Sequence, residues 1–222
     1  MKRKFVVYIQ IKMKNSVAKA LFNSHSYLEY RKLISDLLLD GKSSGNEQSE
    51  DLTHYSNLNI TRMNRLDKTM KVDQSIVLKL KDLKNEYIWL VISEGWCGDA
   101  AQILPIIHKM SEESNNIELR IVFRDENEPL MNLFLTNKSK SIPKLIIIEK
   151  ATGSVLNHWG PRPIGAANLI KEHKEKVGAI DESVKANLQL WYLHDKGFST
   201  QNEIMNLMLD LEKLNPQIQI PL

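Results

Sequence analysis

Cys97 is the only thiol in a chain of 222 residues. It falls in the run Trp96-Cys97-Gly98-Asp99-Ala100. A cysteine thiolate can attack disulfides or other electrophilic sulfur, and its pKa decides how readily it does so. Two neighbours act on that pKa in opposite directions. If a helix begins at the cysteine, its unpaired N–H groups and the positive end of its dipole favour the thiolate. Asp99, two residues on, is a carboxylate that favours the thiol and is also a good first-turn helix residue. The flanking elements fit this placement. Residues 87–93 (Tyr-Ile-Trp-Leu-Val-Ile-Ser) read as a buried strand. After the motif, Ala100, Ala101, Ile103, Leu104, Ile106, Ile107 and Met110 keep a helical apolar period. The thiol is therefore expected where a strand hands over to a helix, exposed or half-exposed, with Trp96 beside it.

Trp96-Cys97-Gly98-Asp99-Ala100 resembles the thioredoxin active-site motif, W-C-G-P-C. Further features agree in order. Pro105 matches the proline that bends the active-site helix, and Ser141-Ile142-Pro143 resembles the cis-proline loop leading into a strand at residues 144–148. Thr152-Gly153 then turns into residues 154–159, closed by Gly160, as the last hairpin of the family would. The resemblance spans residues 72–176. It implies an α/β thioredoxin-like fold, with a central mixed sheet flanked by helices and helical extensions at both ends. The expected organisation is 1–71 as a helical N-terminal extension, 72–176 as the core and 177–222 as a helical C-terminal extension, all in one compact unit.

The departures from the family pattern are chemically specific. Ala100 occupies the place of the second cysteine, so no intramolecular dithiol couple can form. The family's buried acid, six residues before the first cysteine, corresponds to Val91, and its usual lysine partner has no counterpart in residues 117–123. Those groups serve the resolving thiol, so the losses are consistent with one missing step. The resemblance implies a monothiol protein: Cys97 exchanges with a disulfide, and an external thiol resolves the adduct. Ile142 and Pro143 would shape the groove for the partner, and strand ends in this fold would bring Arg124 and Arg162 toward the thiolate or a ligand. The partner would be a protein disulfide or a low-molecular-weight thiol, with no cofactor. The alternative is a non-redox module that binds a protein or peptide in the same groove.

Composition sets the limits. With 42% hydrophobic residues the chain can bury a full core, and a net charge of +3 is too mild to argue for nucleic acid. No apolar run approaches the ~20 residues of a membrane span. The segment 1–12 superficially resembles a secretory leader, but Gln10 and Lys12 interrupt it and no small-residue cleavage site follows. It is read as non-secretory, with Met13 as an alternative start, and the cytoplasm is the expected compartment. The six histidines lack metal-ligand spacing, so no metal site is expected.

Outside the core, helices are expected at 17–22, 27–39, 57–68, from 73, from 126, at 183–194 and at 200–214. The polar stretch 41–51 reads as a mobile loop. Tyr55, Arg62 and Arg65, with the loop at 41–56, are candidates for a lid or partner surface near Cys97, suited to an anionic ligand or an acidic peptide.

Overall fold

The computed structural model of the chain describes residues 2–214, with side chains from residue 12 onward; residues 215–222, the end of the expected C-terminal extension, lie outside the described residues. Four strands form one mixed sheet in the order β2-β1-β3-β4: β1 (Tyr87–Ser93), β2 (Ile117–Phe123), β3 (Lys144–Glu149) and β4 (Val155–Trp159). β1 runs parallel to β2 and antiparallel to β3, and β3 runs antiparallel to β4. Trp89 to Ile92 and Leu145 to Ile148 are fully or almost fully buried. This is why the central strands read as continuous apolar runs, since both faces of the sheet are covered.

The parallel step from β1 to β2 requires a crossover, and α5 (Gly98–Glu112) supplies it. Ile103, Leu104, Ile106, Ile107 and Met110 on α5 are at most 2% exposed. Burying each such side chain contributes about 1.5–3 kcal/mol of transfer free energy. The site is fastened to the core by this helix, because Cys97 is its N-cap.

The extensions pack on that same helix. α3 (Glu50–Thr69) lies against α5, and α9 (Phe198–Leu214) packs on α5, β4 and α4 (Gln74–Lys81). On α3, the fully buried Ser56, Asn59 and Met63 mark the inward face. α8 (Glu182–Asp195) packs on α7 (Ile164–Val177), a helix that the sequence reading did not assign. At the other edge, α1 (Lys2–Phe22) and α2 (Tyr27–Leu39) contact β2, and α1 also contacts the short α6 (Glu128–Met131). Between α1 and α2, His25 exchanges two 2.8 Å backbone hydrogen bonds with Ile121, and Arg120 donates to Ser24. One bridge and a guanidinium thus stand at the outer edge of β2, where a bare strand would invite pairing with another chain.

Two local expectations change. α3 starts at Glu50, because Ser49 caps it by accepting from the Leu52 N–H and Glu50 and Asp51 occupy its first turn. The stretch before it is pinned: Ser43 and Ser44 are 2% and 4% exposed, and Gln48 bonds back to Ser43 and Gly45. Ser43 and Ser44 point inward while most of the rest of the stretch stays exposed, so polarity alone does not distinguish it from a free loop. No helix among the described residues is long and apolar enough to cross a membrane.

Candidate functional site

Cys97 stands between the start of α5 and the loop that enters β3. Its Sγ accepts from the Ala100 N–H (3.5 Å), and its thiol donates to the Ile142 carbonyl (3.3 Å). The Ile142–Pro143 peptide is cis. The residue is buried, 7% exposed, which corrects the expectation of an exposed thiol. The strand-to-helix handover does place Cys97 just beyond the C-terminal end of the central strand β1, but side chains of α3 and α8 reach over its neighbour: a side chain built on Gly98 would meet Arg62 Nη1 at 3.6 Å and Gln189 Nε2 at 3.7 Å. Burial, with Asp99 adding to it, pushes the thiol pKa up to about 12. The N–H groups of Ala100 and Asp99 and the charge of Arg162 pull the other way and do not prevail. In this conformation Cys97 is a neutral thiol.

Asp99 does more than begin a helix. It is 7% exposed, its Oδ2 pairs with Arg162 Nη2 at 2.6 Å, and its Oδ1 accepts from the Tyr192 hydroxyl at 2.8 Å. Arg162 arrives from the turn after β4, which follows a cis Gly160–Pro161 peptide. Gly160 has φ +106°, and a Cβ there would lie 2.5 Å from the Pro143 carbonyl oxygen, so only glycine fits against the cis-proline loop. Lys144 ties the same region together. Almost fully buried at the first position of β3, it donates to Thr136 Oγ1 (2.6 Å) and the Gly160 carbonyl (2.8 Å), and burial lowers its pKa to about 8.

The two candidate arginines part company. Arg162 lies close enough to the sulfur to favour its charged form. Arg124 instead stacks on Trp96, with its guanidinium carbon 4.8 Å from the ring centroid, and pairs with Asp125 at 2.7 Å. It therefore holds Trp96 in place. Val91 is fully buried among apolar residues, whereas a buried acid the sequence reading passed over, Glu94, lies three residues before the cysteine. Its carboxylate accepts from Ser44 Oγ and from the Asp125 N–H, and burial raises its pKa. Ser44 Oγ in turn accepts from the Gly95 N–H at 2.8 Å. The signal for Glu94 was its position directly after an apolar strand, where a charged residue needs partners.

Among the described residues, Tyr55 and Arg62 face α8 or the motif, while Arg65 is exposed one turn further along α3. Arg62 Nη1 donates to Asn59 Oδ1 (2.7 Å), and Asn59 Nδ2 donates to the Gly95 carbonyl (2.9 Å). Gln102 on α5 donates to Gln189 Oε1 at 2.8 Å. No group of three or more His, Cys, Asp or Glu among the described residues is placed to hold a metal ion.

A family model described as thioredoxin matches residues 45–176, more than half of the chain. The chain belongs to the thioredoxin family. The match begins well before residue 72, and the matched span takes in α3. Among solved structures, this thioredoxin-family chain is similar to a protein of unknown function from Pseudomonas aeruginosa, with a TM-score of 0.59 and 13% identity over 87% of this chain and 96% of that one. It is also similar to an HIV epitope-scaffold, with a TM-score of 0.50 and 16% identity over 84% of this chain and 98% of that one. At such identities the likeness concerns the fold alone. No curated protein matches the chain.

Proposed function

We propose that this thioredoxin-family protein carries out monothiol exchange through Cys97, with the thiol masked in the resting conformation. One observation carries the reading: the chain's only thiol lies at the start of α5, directly across from the Ile142 carbonyl that precedes cis-Pro143. An incoming disulfide lying along that loop meets the sulfur there. Trp96, Gly98, Asp99 and Ala100 form the surrounding motif, Ile142 and Pro143 form the groove, and Arg162 is the cation available to a thiolate.

The chemistry balances without a cofactor. The Cys97 thiolate attacks one sulfur of a disulfide, the S–S bond breaks, and the departing thiolate takes the electron pair and the proton that Cys97 gave up. An external thiol, as its thiolate, then attacks the sulfur bonded to Cys97 Sγ and forms a new disulfide. Cys97 leaves as a thiolate and regains a proton. The redox state of the protein is unchanged over the cycle, as the alanine at position 100 demands.

A second reading, a non-redox groove for a protein or peptide, is favoured by the burial of Cys97 and its high pKa. The pH dependence of Cys97 alkylation in the folded protein separates the two. Masked exchange predicts slow but measurable native-state labelling that accelerates when α8 is loosened. A thiol labelled only on global unfolding leaves the binding module.

A further inference from the structure

The charges around Cys97 do not cancel. Asp99 is matched by Arg162, and the Tyr192 hydroxyl completes that pair. Glu94 is turned away toward Ser44 and the Asp125 N–H. Arg62 remains: it is half-buried, its one hydrogen-bonded side-chain partner is the neutral Asn59, and no carboxylate among the described residues pairs with it. Burial lowers its pKa, the mark of a cation taken from water without a compensating anion. Arg65, one turn along α3, also has no ion pair among the described residues and adds charge on the same side.

The place of Arg62 gives the excess charge a direction. Its Nη1 reaches over Gly98, the residue next to Cys97, and Gln189 Nε2 approaches the same spot from α8. Gln189 is oriented by the bond its Oε1 accepts from Gln102, which leaves the amide N–H groups to face the motif. The side-chain atoms that meet over Gly98 are thus both donors.

We infer that Arg62 makes the Cys97 site selective for disulfides bearing a carboxylate near the reacting sulfur. This deepens the exchange reading and rests on it. A carboxylate is the natural partner of a guanidinium, accepting two parallel hydrogen bonds from it. Selectivity arises because a neutral disulfide leaves the half-buried cation unmatched, and a cationic one repels it.

The test compares three small disulfides as substrates: anionic dithiodipropionate, neutral hydroxyethyl disulfide and cationic cystamine. Mixed-disulfide formation at Cys97 is followed by mass spectrometry. The wild-type chain is expected to react about tenfold faster with the anion than with the neutral compound, and slowest with cystamine. Arg62→Gln should bring the three rates together, and Arg62→Lys should keep the order. Because Arg62 also holds Asn59, a purely structural role would slow all three alike and leave their ratios intact. Should the glutamine variant fail to fold, raising salt on the wild-type chain screens the same charge and must shrink the anionic advantage. Rates that ignore substrate charge, or a preference that survives Arg62→Gln, overturn this inference while leaving exchange standing. No reaction with any of the three overturns the exchange reading and this inference with it.

Discussion

Tyr192 and Asp99 lie 93 positions apart and meet through a buried 2.8 Å hydrogen bond. The bond joins α8 to the motif, so the C-terminal helices and the cysteine are mechanically linked. Tyr192 stays neutral, since burial raises its pKa well above the ordinary value, and it acts purely as a donor. Tyr192→Phe removes that donor and keeps the ring. The expected loss is about 2 kcal/mol, as for a hydrogen bond to a charged group, read by urea denaturation. Cys97 alkylation should speed up in the same variant, because α8 opens more often. A stability loss with unchanged labelling would mean that α8 does not gate the thiol.

Asp99→Asn addresses the charge itself. Asp99 is second only to burial in raising the Cys97 pKa, and Arg162 opposes it. With the carboxylate gone, Arg162 acts alone, and the thiol pKa should fall from about 12 toward the usual cysteine range. Alkylation at fixed mildly alkaline pH should accelerate by tenfold or more, since about one pKa unit is tenfold in thiolate. The cost is an unmatched Arg162. It keeps 29% of its side chain in solvent, so the destabilisation should be about 2 kcal/mol, less than for a fully buried pair.

Much of the frame was legible because it rests on local patterns. The apolar runs of β1 and β3 and the period of α5 follow from burial on both faces of the sheet and along one helix. The motif, Pro105 and Ile142-Pro143 placed Cys97 within the fold. What escaped were contacts between residues distant in sequence. Nothing near Cys97 announces that Gln189 and Arg62 will approach Gly98, so the local sequence alone predicts an accessible thiol. Nothing near Asp99 announces Tyr192. Ser44 looked like part of a solvated loop, yet it holds Glu94 and the Gly95 N–H from a position about 50 residues upstream. The fold pattern alone places Arg124 and Arg162 together, but the pairing of one with Asp125 and of the other with Asp99 separates them.

Lys144 should leave a signature in stability against pH. Its pKa falls from 10.5 to about 8 on folding, so between those values the unfolded chain binds more protons than the folded one. Stability contributed by this group therefore rises as pH increases from about 8 toward 10.5, by up to about 3 kcal/mol. Cys97 acts in the opposite sense, because its pKa rises from 9 to about 12 and stability is lost as pH climbs above 9. The Lys144 contribution is thus cleanest between about pH 7.5 and 9. Denaturation midpoints should rise over that window in the wild-type chain and stay flat in Lys144→Met. A flat wild-type profile would show that the amine reaches water.

Ala100→Cys restores the residue type whose absence makes this chain a single-thiol protein, and it tests the geometry assigned to Cys97. As N-cap, Cys97 turns its side chain back over the first turn of α5, where Sγ accepts from the Ala100 N–H. A sulfur added at position 100 would therefore lie on the same turn as Sγ, within the short separation that a disulfide demands. Oxidation of Ala100→Cys should remove both thiols from a mass-spectrometric count, and dithiothreitol should return them. Ala100 is only 1% exposed, so the reduced variant must crowd its neighbours and should lose about 1–3 kcal/mol. The reduced thiols should also report on each other, since ionising one beside a second buried thiol is harder than ionising it alone. Two thiols that persist under strong oxidant, in a chain that is still folded, would mean that Cys97 points away from the helix start. That outcome would remove the basis for placing an exchange site there.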